Sequence, residues 1–310
     1  MSAACGPGGA DEPRGGIADR AAAQPASAPP PAERLSLNTA TVREQWNLRQ
    51  MIEACGRHGI RGIAPWRDKL DELGAAQAAR LLRQHDLTVT GLCRGGMFPA
   101  ADAAGRRAAI DDNRRAIDDA ATIGARCLVL VVGGIPAGSK DLPGARQMVI
   151  DGIAAVLDHA RESGVPLAIE PLHPMYCADR ACVNTLDQAL DICDVLDPHL
   201  AGGRPSGAIG VAVDAYHVWW DPNLPRALER ARPERLLAYH ICDWLVPTTD
   251  LLLDRGMMGD GVIDLPALRG MVEGHGYRGF HEVEILSTRW WRRDPDEVLR
   301  IARERHLRCS

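Results

Sequence analysis

From Leu35 onward, short apolar runs alternate with longer amphipathic stretches, and this repetition restricts the chain to few folds. A short apolar strand followed by an amphipathic helix is the unit of a parallel β-sheet covered by helices. We predict eight strands, most of them apolar enough to be buried on both faces. They are Arg34–Asn38, Gly62–Trp66, Leu87–Cys93, Cys127–Val132, Pro166–Glu170, Ala208–Asp214, Leu236–Cys242 and Phe280–Leu286.

Stretches with apolar residues at every third or fourth position lie between these strands, and this spacing predicts helices. The predicted helices are Val42–His58, Ala104–Ile123, Leu142–Glu162, Asn184–Leu196 and Leu265–His275. Gly59, Gly124 and Gly164 each follow a helix, where glycine readily forms a left-handed cap. Eight such units without a long structureless gap favour a closed (β/α)8 barrel of the α/β class. An open doubly wound sheet is the alternative, but no GxGxxG fingerprint follows the first strand.

Composition bears on domain organisation and partners. Residues 1–33 are rich in Ala, Gly and Pro, and we predict a disordered tail before a catalytic barrel at 34–310. The net charge of −5 and the absence of a Lys/Arg run disfavour a nucleic-acid partner. Apolar runs are too short to cross a bilayer, and nine cysteines without a CxxC pair indicate reduced thiols. We therefore expect a cytoplasmic protein, with homo-oligomer formation left open.

One metal-binding side chain lies at or near the end of each of the last four predicted strands. These residues are Glu170, Asp214, His240 and Glu284. All strands of a parallel barrel end on the same face, so residues far apart in sequence can meet there. Three carboxylates and one imidazole suit Mn2+, Mg2+, Co2+ or Zn2+. The alternative is that these acids pair with arginines at the barrel mouth.

Several motifs carry a resemblance to a known family. They are EPLHP from Glu170, DAYHVWWDP from Asp214, HICDW from His240, GDGVIDL from Gly259, and GYRG from Gly276 followed by VEI around Glu284. Their order and spacing resemble the xylose-isomerase-like TIM barrels of the sugar phosphate isomerase/epimerase superfamily, over roughly residues 34–306. That superfamily includes inosose dehydratases and ketose 3-epimerases.

The resemblance implies one divalent metal ion, Mn2+ being our first expectation, bound by Glu170, Asp214, His240 and Glu284. Glu282 competes with Glu284 because it lies on the same face of its strand, but two residues earlier it should sit inside the barrel below the metal. The implied reaction is isomerisation or epimerisation of a small sugar or hydroxy-ketone through an enediolate, with Glu170 and Glu284 as catalytic base and acid.

Two other reaction classes stay open. The same enolisation would serve a metal-dependent lyase or dehydratase, or an enzyme that cleaves keto-glycosides, including C-glycosides. A nuclease resembling the abasic-site endonucleases is the remote alternative, because those barrels use several zinc ions and more histidines than this chain places near strand ends.

Six further residues are predicted to contact a carbohydrate-like substrate. They lie in loops after the predicted strands, where they would surround the barrel mouth, and each has a plainer interpretation as a structural histidine or a solvated charge. They are His173, His217, Asp243, Arg255, Arg94 and Lys140. Arg255 is the strongest candidate, since a guanidinium can bind a carboxylate or two substrate oxygens through two hydrogen bonds. Asp243 has a second interpretation, as a group that orients its neighbours.

Overall fold

In the computed structural model, which describes residues 28–198 and 207–310, parallel strands wind into a barrel covered by helices. This architecture confirms the predicted (β/α)8 TIM-barrel fold. The barrel strands are β1 Leu35–Asn38, β2 Gly62–Ala64, β3 Thr88–Val89, β4 Leu92–Gly96, β5 Leu128–Val131, β6 Leu167–Ile169, β7 Ile209–Asp214, β8 Leu236–Ile241 and β11 His281–Val283. A separate antiparallel pair, β9 Asp243–Trp244 and β10 Arg255–Gly256, lies in the loop after β8.

The barrel closes through the third predicted strand, which the structure divides into β3 and β4. β3 pairs with β2, and β4 pairs with β5. The strand order is β3-β2-β1-β11-β8-β7-β6-β5-β4, so its first and last strands are the two halves of one continuous segment. Thr90 N, just after β3, donates to Ile63 O at 2.9 Å, and Cys93 N, within β4, donates to Pro65 O at 2.9 Å. These bonds complete the ring.

Helices cover the outside of the barrel. They are α1 Leu48–His58, α2 Arg67–Leu73, α3 Ala75–Gln84, α4 Ala103–Ile123, α5 Leu142–Ser163, α6 Leu186–Leu196, α7 Ala215–Val218, α8 Leu224–Arg235, α9 Leu265–Gly274 and α10 Pro295–Cys309. Gly59, Gly124 and Gly164 cap α1, α4 and α5 with φ of 63°, 69° and 67°, as predicted. In the described part of the chain, no helix combines the length and apolar character that a membrane span requires.

A short helix precedes the first strand of the barrel. Residues 1–27 of the predicted tail lie outside the described ranges. Ala32–Arg34 forms a short 3-10 helix that leads into β1, and the Arg34 guanidinium pairs with Glu273 at the end of α9.

Strand alternation decides which side chains enter the barrel. In β8, Tyr239 and Ile241 pack in the apolar layer between strands and helices, so His240 between them points inward. In β11, the same alternation turns Glu282 inward, and Glu284 follows on the same side one step nearer the mouth. Parallel pairing aligns His240 with Asp214 on one side and with Glu282 on the other. The fold therefore stacks acidic side chains and an imidazole at the carboxyl end of the barrel.

Candidate metal centre

The four residues predicted as metal ligands converge at the barrel mouth. One potential ligand atom from each of Glu170, Asp214, His240 and Glu284 lies within 4.8 Å of the others. All four side chains are buried, with Asp214 and His240 fully enclosed. Each comes from the end of a different strand or from the residue that follows it, which is the arrangement expected from parallel strands that open on one face.

His240 is held between two carboxylates. Its Nδ1 lies 2.8 Å from Glu170 Oε1, and its Nε2 lies 3.4 Å from Glu282 Oε1. The second contact is within ion-pair distance but is not aligned as a hydrogen bond, and Nε2 has no hydrogen-bond partner in the structure. The ring therefore directs Nδ1 toward the other candidate ligands and Nε2 down into the barrel.

Asn38, at the end of β1, connects the two glutamates of the last strand. Its amide nitrogen donates to Glu282 Oε1 at 2.7 Å and to Glu284 Oε1 at 3.0 Å. Its oxygen accepts from Trp66 Nε1 at 2.9 Å. The other oxygen of Glu282 accepts from Thr90 Oγ1 at 2.7 Å. Glu282 is thus fixed below the mouth, while Glu284 is held at its edge.

Arg255 reaches into the same cluster from β10. Its Nη1 donates to Asp214 Oδ2 at 3.1 Å and to Glu284 Oε2 at 3.0 Å, and the guanidinium lies 4.5 Å from the ring centroid of Tyr216. The sequence left two interpretations open, a metal site and acids paired with arginine. The structure contains features of both, because the Arg255 guanidinium bridges two of the candidate metal ligands.

His217 lies beside Arg255 and is electrically neutral. Burial lowers the pKa of its imidazole to about 3. Its Nδ1 accepts from the backbone N–H of His173 at 3.2 Å, so the ring proton resides on Nε2. Nε2 lies 3.1 Å from Arg255 Nη2, and two donors face each other there. An oxygen atom that lies to one side, next to both nitrogens, would accept a hydrogen bond from each.

The donor set fits a divalent cation. Metal–oxygen and metal–nitrogen bonds of about 2.0–2.2 Å separate opposite ligands by about 4.2 Å, so the observed spread of 4.8 Å needs only a small contraction. Charge balance points the same way, because Glu170, Asp214, Glu282 and Glu284 outnumber the cationic groups that contact them. Buried carboxylates in excess are costly without added positive charge.

Burial and neighbouring charges shift the protonation of this cluster. Burial raises the pKa of Glu170 to about 7, although the hydrogen bond from His240 opposes the shift. Burial lowers the pKa of His240, but the carboxylates of Glu282 and Glu170 outweigh it and hold that pKa well above its usual value. A cation bound among these groups would replace protons on both.

A pocket lies directly over the cluster. Glu170, Glu284, His217 and Arg255 line it, whereas Asp214 and His240 lie behind them. The enclosed space measures about 30 Å³, room for about two water molecules. A wider groove of about 510 Å³ adjoins it, and the two share Trp66, Cys93 and Arg94 as lining residues.

The six residues predicted to bind substrate divide into two groups. His217, Arg255 and Arg94 line the pocket. His173 does not line it, because its ring stacks on Trp244 with centroids 4.8 Å apart. Lys140 is exposed in the loop after β5 and lies away from the pocket. Whether the three pocket residues contact a substrate stays a prediction.

Asp243 is also absent from the pocket lining, because its carboxylate serves the backbone. It accepts hydrogen bonds from the N–H groups of Trp244, Gly259, Gly261 and Ile263 at 2.8–3.1 Å. The side chain is fully buried. Asp243 therefore fastens the base of the loop that carries Arg255, which agrees with its second interpretation as an orienting group.

Sequence reasoning missed several residues of the site. Trp66, Tyr176 and Arg180 line the pocket, and Asn38 holds Glu284 from below. Trp66 lies at the end of a predicted strand, and only this position in the sequence could have indicated that it lines the pocket. Arg180 lies in the loop between β6 and α6, and nothing in its surroundings in the sequence distinguishes it.

Comparisons with known proteins bear on the family and the fold. The model of the xylose isomerase-like TIM barrel family matches residues 52–308. An inosose isomerase from Bacillus velezensis is 26% identical over 286 residues, covering 87% of this chain and 95% of that protein. The crystal structure of protein SMc04130 from Sinorhizobium meliloti 1021 is 58% identical, with a TM-score of 0.86 over 90% of this chain and 99% of that one. IolI protein with a zinc atom bound shares the fold, at 22% identity and a TM-score of 0.72 over 88% of this chain and 96% of that one.

Proposed function

The chain belongs to the xylose isomerase-like TIM barrel family, and we propose that it is a divalent-metal-dependent isomerase or epimerase of a small sugar or hydroxy-ketone. One observation carries the proposal. Of the four candidate ligands, Glu170 and Glu284 face the pocket, while Asp214 and His240 lie behind them. Groups that only hold a cation need no access to substrate, whereas groups that move protons must reach it. The inosose isomerase of Bacillus velezensis supports the same class of reaction.

Glu170, Asp214, His240 and Glu284 would hold one cation in each chain. When bound, the cation would polarise a substrate carbonyl and stabilise the negative charge that develops on its oxygen. A set of three carboxylates and one imidazole lies between the donor sets preferred by magnesium and by zinc, so Mn2+ is our first choice. Mg2+, Co2+ and Zn2+ are the alternatives, and elemental analysis separates them.

Glu170 and Glu284 would move the substrate proton. The pKa of Glu170, raised by burial to about 7, suits a carboxyl that accepts and returns a proton near neutral pH. Hydrogen bonds from Asn38 and Arg255 to Glu284 fix its two oxygens in place. Removal of a C–H proton by one carboxylate, followed by delivery of a different proton from the other, protonated carboxyl on the opposite face, would epimerise the carbon. Return at the neighbouring carbon would isomerise the substrate.

Arg255 and His217 would fix the substrate oxygens. Nη2 of Arg255 and Nε2–H of His217 lie 3.1 Å apart at the base of the pocket. An oxygen that accepts from both would be held next to the two glutamates. Because burial keeps His217 neutral, this histidine is a hydrogen-bond donor and not a competing acid.

Elimination is the second outcome that the same residues allow. A substrate with a leaving group two carbons from its carbonyl would lose that group after proton removal, which is the chemistry of a dehydratase or of a keto-glycoside-cleaving enzyme. A multi-zinc nuclease is disfavoured, because the potential ligands within the described ranges form a single cluster with one histidine.

Two measurements test the proposal. Elemental analysis should find about one divalent metal ion per chain, and Asp214→Asn should lose it while the ion-paired surface control Arg114→Gln retains it. Solvent deuterium should enter the substrate carbon in a panel of ketoses and keto-glycosides, with products identified by NMR, and Glu170→Gln should abolish the exchange.

The two measurements also separate the alternatives. Exchange with loss of a substituent would move the assignment to a lyase. Two or three zinc ions per chain would favour the nuclease. No exchange across the panel, with the metal bound, would refute the enolisation mechanism.

A further inference from the structure

Two arginines line the pocket, one from a strand and one from a loop, and neither has a carboxylate of the described residues within hydrogen-bond distance. Arg94 lies in β4, and among the described residues it makes no hydrogen bond or ion pair. Arg180 lies in the loop after β6, and its nearest carboxylate is the exposed side chain of Asp179, 3.9 Å from Nε. The guanidinium of Arg180 also lies 6.0 Å from the ring centroid of Tyr176. In the described ranges, neither guanidinium therefore has a carboxylate hydrogen-bonded to it.

The other arginines around the pocket and its adjoining groove are paired. Arg67 binds both oxygens of Asp112 at 2.7 and 2.9 Å, and Arg43 pairs with Asp68. Arg255 bridges one aspartate and one glutamate, Asp214 and Glu284. Arginine in this region is thus normally matched with an acid, and Arg94 and Arg180 are departures from that pattern.

The departure has an energetic cost. Burial and the neighbouring Arg180 guanidinium both lower the pKa of Arg94, which means that its positive charge is disfavoured where it lies. A guanidinium held partly away from water and beside a like charge is stabilised when an anion binds to it. Two adjacent guanidinium groups without hydrogen-bonded acids are expected where the anionic group belongs to a ligand that binds reversibly.

We propose that Arg94 and Arg180 form an anion subsite, and that the substrate carries a carboxylate or phosphate group apart from its reacting hydroxy-ketone. The inference rests on the proposed function, because Glu170 and Glu284 line the same pocket. It also explains how a substrate fits. The space beside the glutamates measures about 30 Å³, too small for a whole sugar, whereas the adjoining groove measures about 510 Å³.

Arg94 lines both spaces, so it stands where a substrate would pass from one to the other. The reacting carbons would occupy the inner space, and the anionic end would extend toward the groove. Trp66, which also lines both, offers an aromatic face to the C–H groups between them. A carboxylate and a phosphate both accept two hydrogen bonds from a guanidinium, so only binding experiments distinguish them.

The test uses metal-free full-length protein, so that a metal ion cannot bind the anion. Isothermal titration compares three open-chain polyols that cannot react: D-glucitol, D-gluconate and D-glucitol 6-phosphate. We expect one of the two anions to bind about tenfold to a hundredfold more tightly than glucitol. Arg94→Gln and Arg180→Gln should each remove most of that preference. Arg94→Lys, which keeps the charge but not the paired hydrogen bonds, should restore part of it.

Arg114→Gln is the matched control, because Arg114 lies on the exposed face of α4 and pairs with Asp111. It changes the net charge equally and should keep the preference. Equal affinity for all three polyols in the unaltered protein would overturn the proposal, as would a preference that survives both pocket variants. Thermal unfolding of each variant shows that it is folded.

The subsite and the proposed function fail in different ways. Anion preference without deuterium exchange in any acidic or phosphorylated ketose would retain the subsite and refute the enolisation. Exchange in neutral ketoses alone, at equal rates in Arg94→Gln and the unaltered protein, would retain the enolisation and refute the subsite.

Discussion

Replacing Glu282 by glutamine should weaken metal binding even though Glu282 is not one of the proposed ligands. The side chain lies 3.4 Å from His240 Nε2 and is fixed by Asn38 and Thr90. The negative charge of Glu282 favours the His240 tautomer in which Nε2 carries the hydrogen and Nδ1 is free to bind a cation. Glutamine keeps the size and one acceptor oxygen but removes the charge.

The expected magnitude follows from what the substitution removes. Groups that orient a metal-binding histidine through its second nitrogen typically contribute about tenfold to a hundredfold in affinity, or about 1.4–2.8 kcal/mol. The metal-free protein should also lose stability. Glu282 is one of the carboxylates that stabilise the protonated ring of His240, so removing its charge should lower the free energy of unfolding below the usual pKa of histidine.

Two assays on the same variants separate these effects. Competition with a chelator of known affinity measures the metal dissociation constant, and urea unfolding of the metal-free protein measures stability. Asp214→Asn gives the result for loss of a proposed ligand. Glu273→Gln, which alters an acid outside the barrel that pairs with Arg34, serves as the control. Unchanged metal affinity in Glu282→Gln, with Asp214→Asn impaired, would refute the orienting role.

Three further predictions concern loop stability and pH. Asp243→Ala leaves four backbone N–H groups without their acceptor, so it should lower the free energy of unfolding in urea titrations by about 3 kcal/mol or more. A decrease below about 1 kcal/mol would contradict the role of Asp243 in holding the loop. Metal affinity should fall by up to about a hundredfold per pH unit below pH 7, because protons on both Glu170 and His240 compete with the cation. Glu170→Gln removes one of these protons and should reduce that slope to about tenfold. Burial lowers the pKa values of His281 and His306 from 6.5 to about 3, so the unfolded chain takes up protons below pH 6.5 that the folded chain does not. Each of these two histidines should therefore lower the free energy of unfolding by up to about 1.4 kcal/mol per pH unit as the pH falls from 6.5 toward 3. Urea unfolding across that range should show a weaker pH dependence of stability in His306→Gln than in the unaltered protein.

The metal cluster was predictable from the sequence because strand geometry is regular. Parallel strands end on one face, so Glu170, Asp214, His240 and Glu284 had to lie near each other once the barrel was assigned. Alternation along β11 further placed Glu282 on the same side as Glu284 but deeper. Both inferences need only the period of a strand, and neither depends on how the loops fold.

Residues in loops were less predictable, since position in the sequence does not determine side-chain direction. Asp243, two residues beyond β8, turns away from the pocket because backbone N–H groups many residues later fold back onto it. Arg180 reaches the pocket although no motif marks it. The split of the third predicted strand arises from hydrogen bonds to both neighbours, which only closure of the barrel supplies.

The hydrogen bonds around Asp243 fix the base of the loop after β8, whereas residues 246–250 form a largely exposed outer part. Arg255 belongs to the base, and Leu252, which lines the pocket, follows Leu251, whose carbonyl accepts hydrogen bonds from Tyr176 and Tyr216. Insertions or exchanges at residues 246–250 should therefore alter which molecules enter without displacing the guanidinium beside the glutamates. A loop built in this way lets substrate range diversify while the reaction is retained, and it marks the segment where directed evolution of this enzyme should begin.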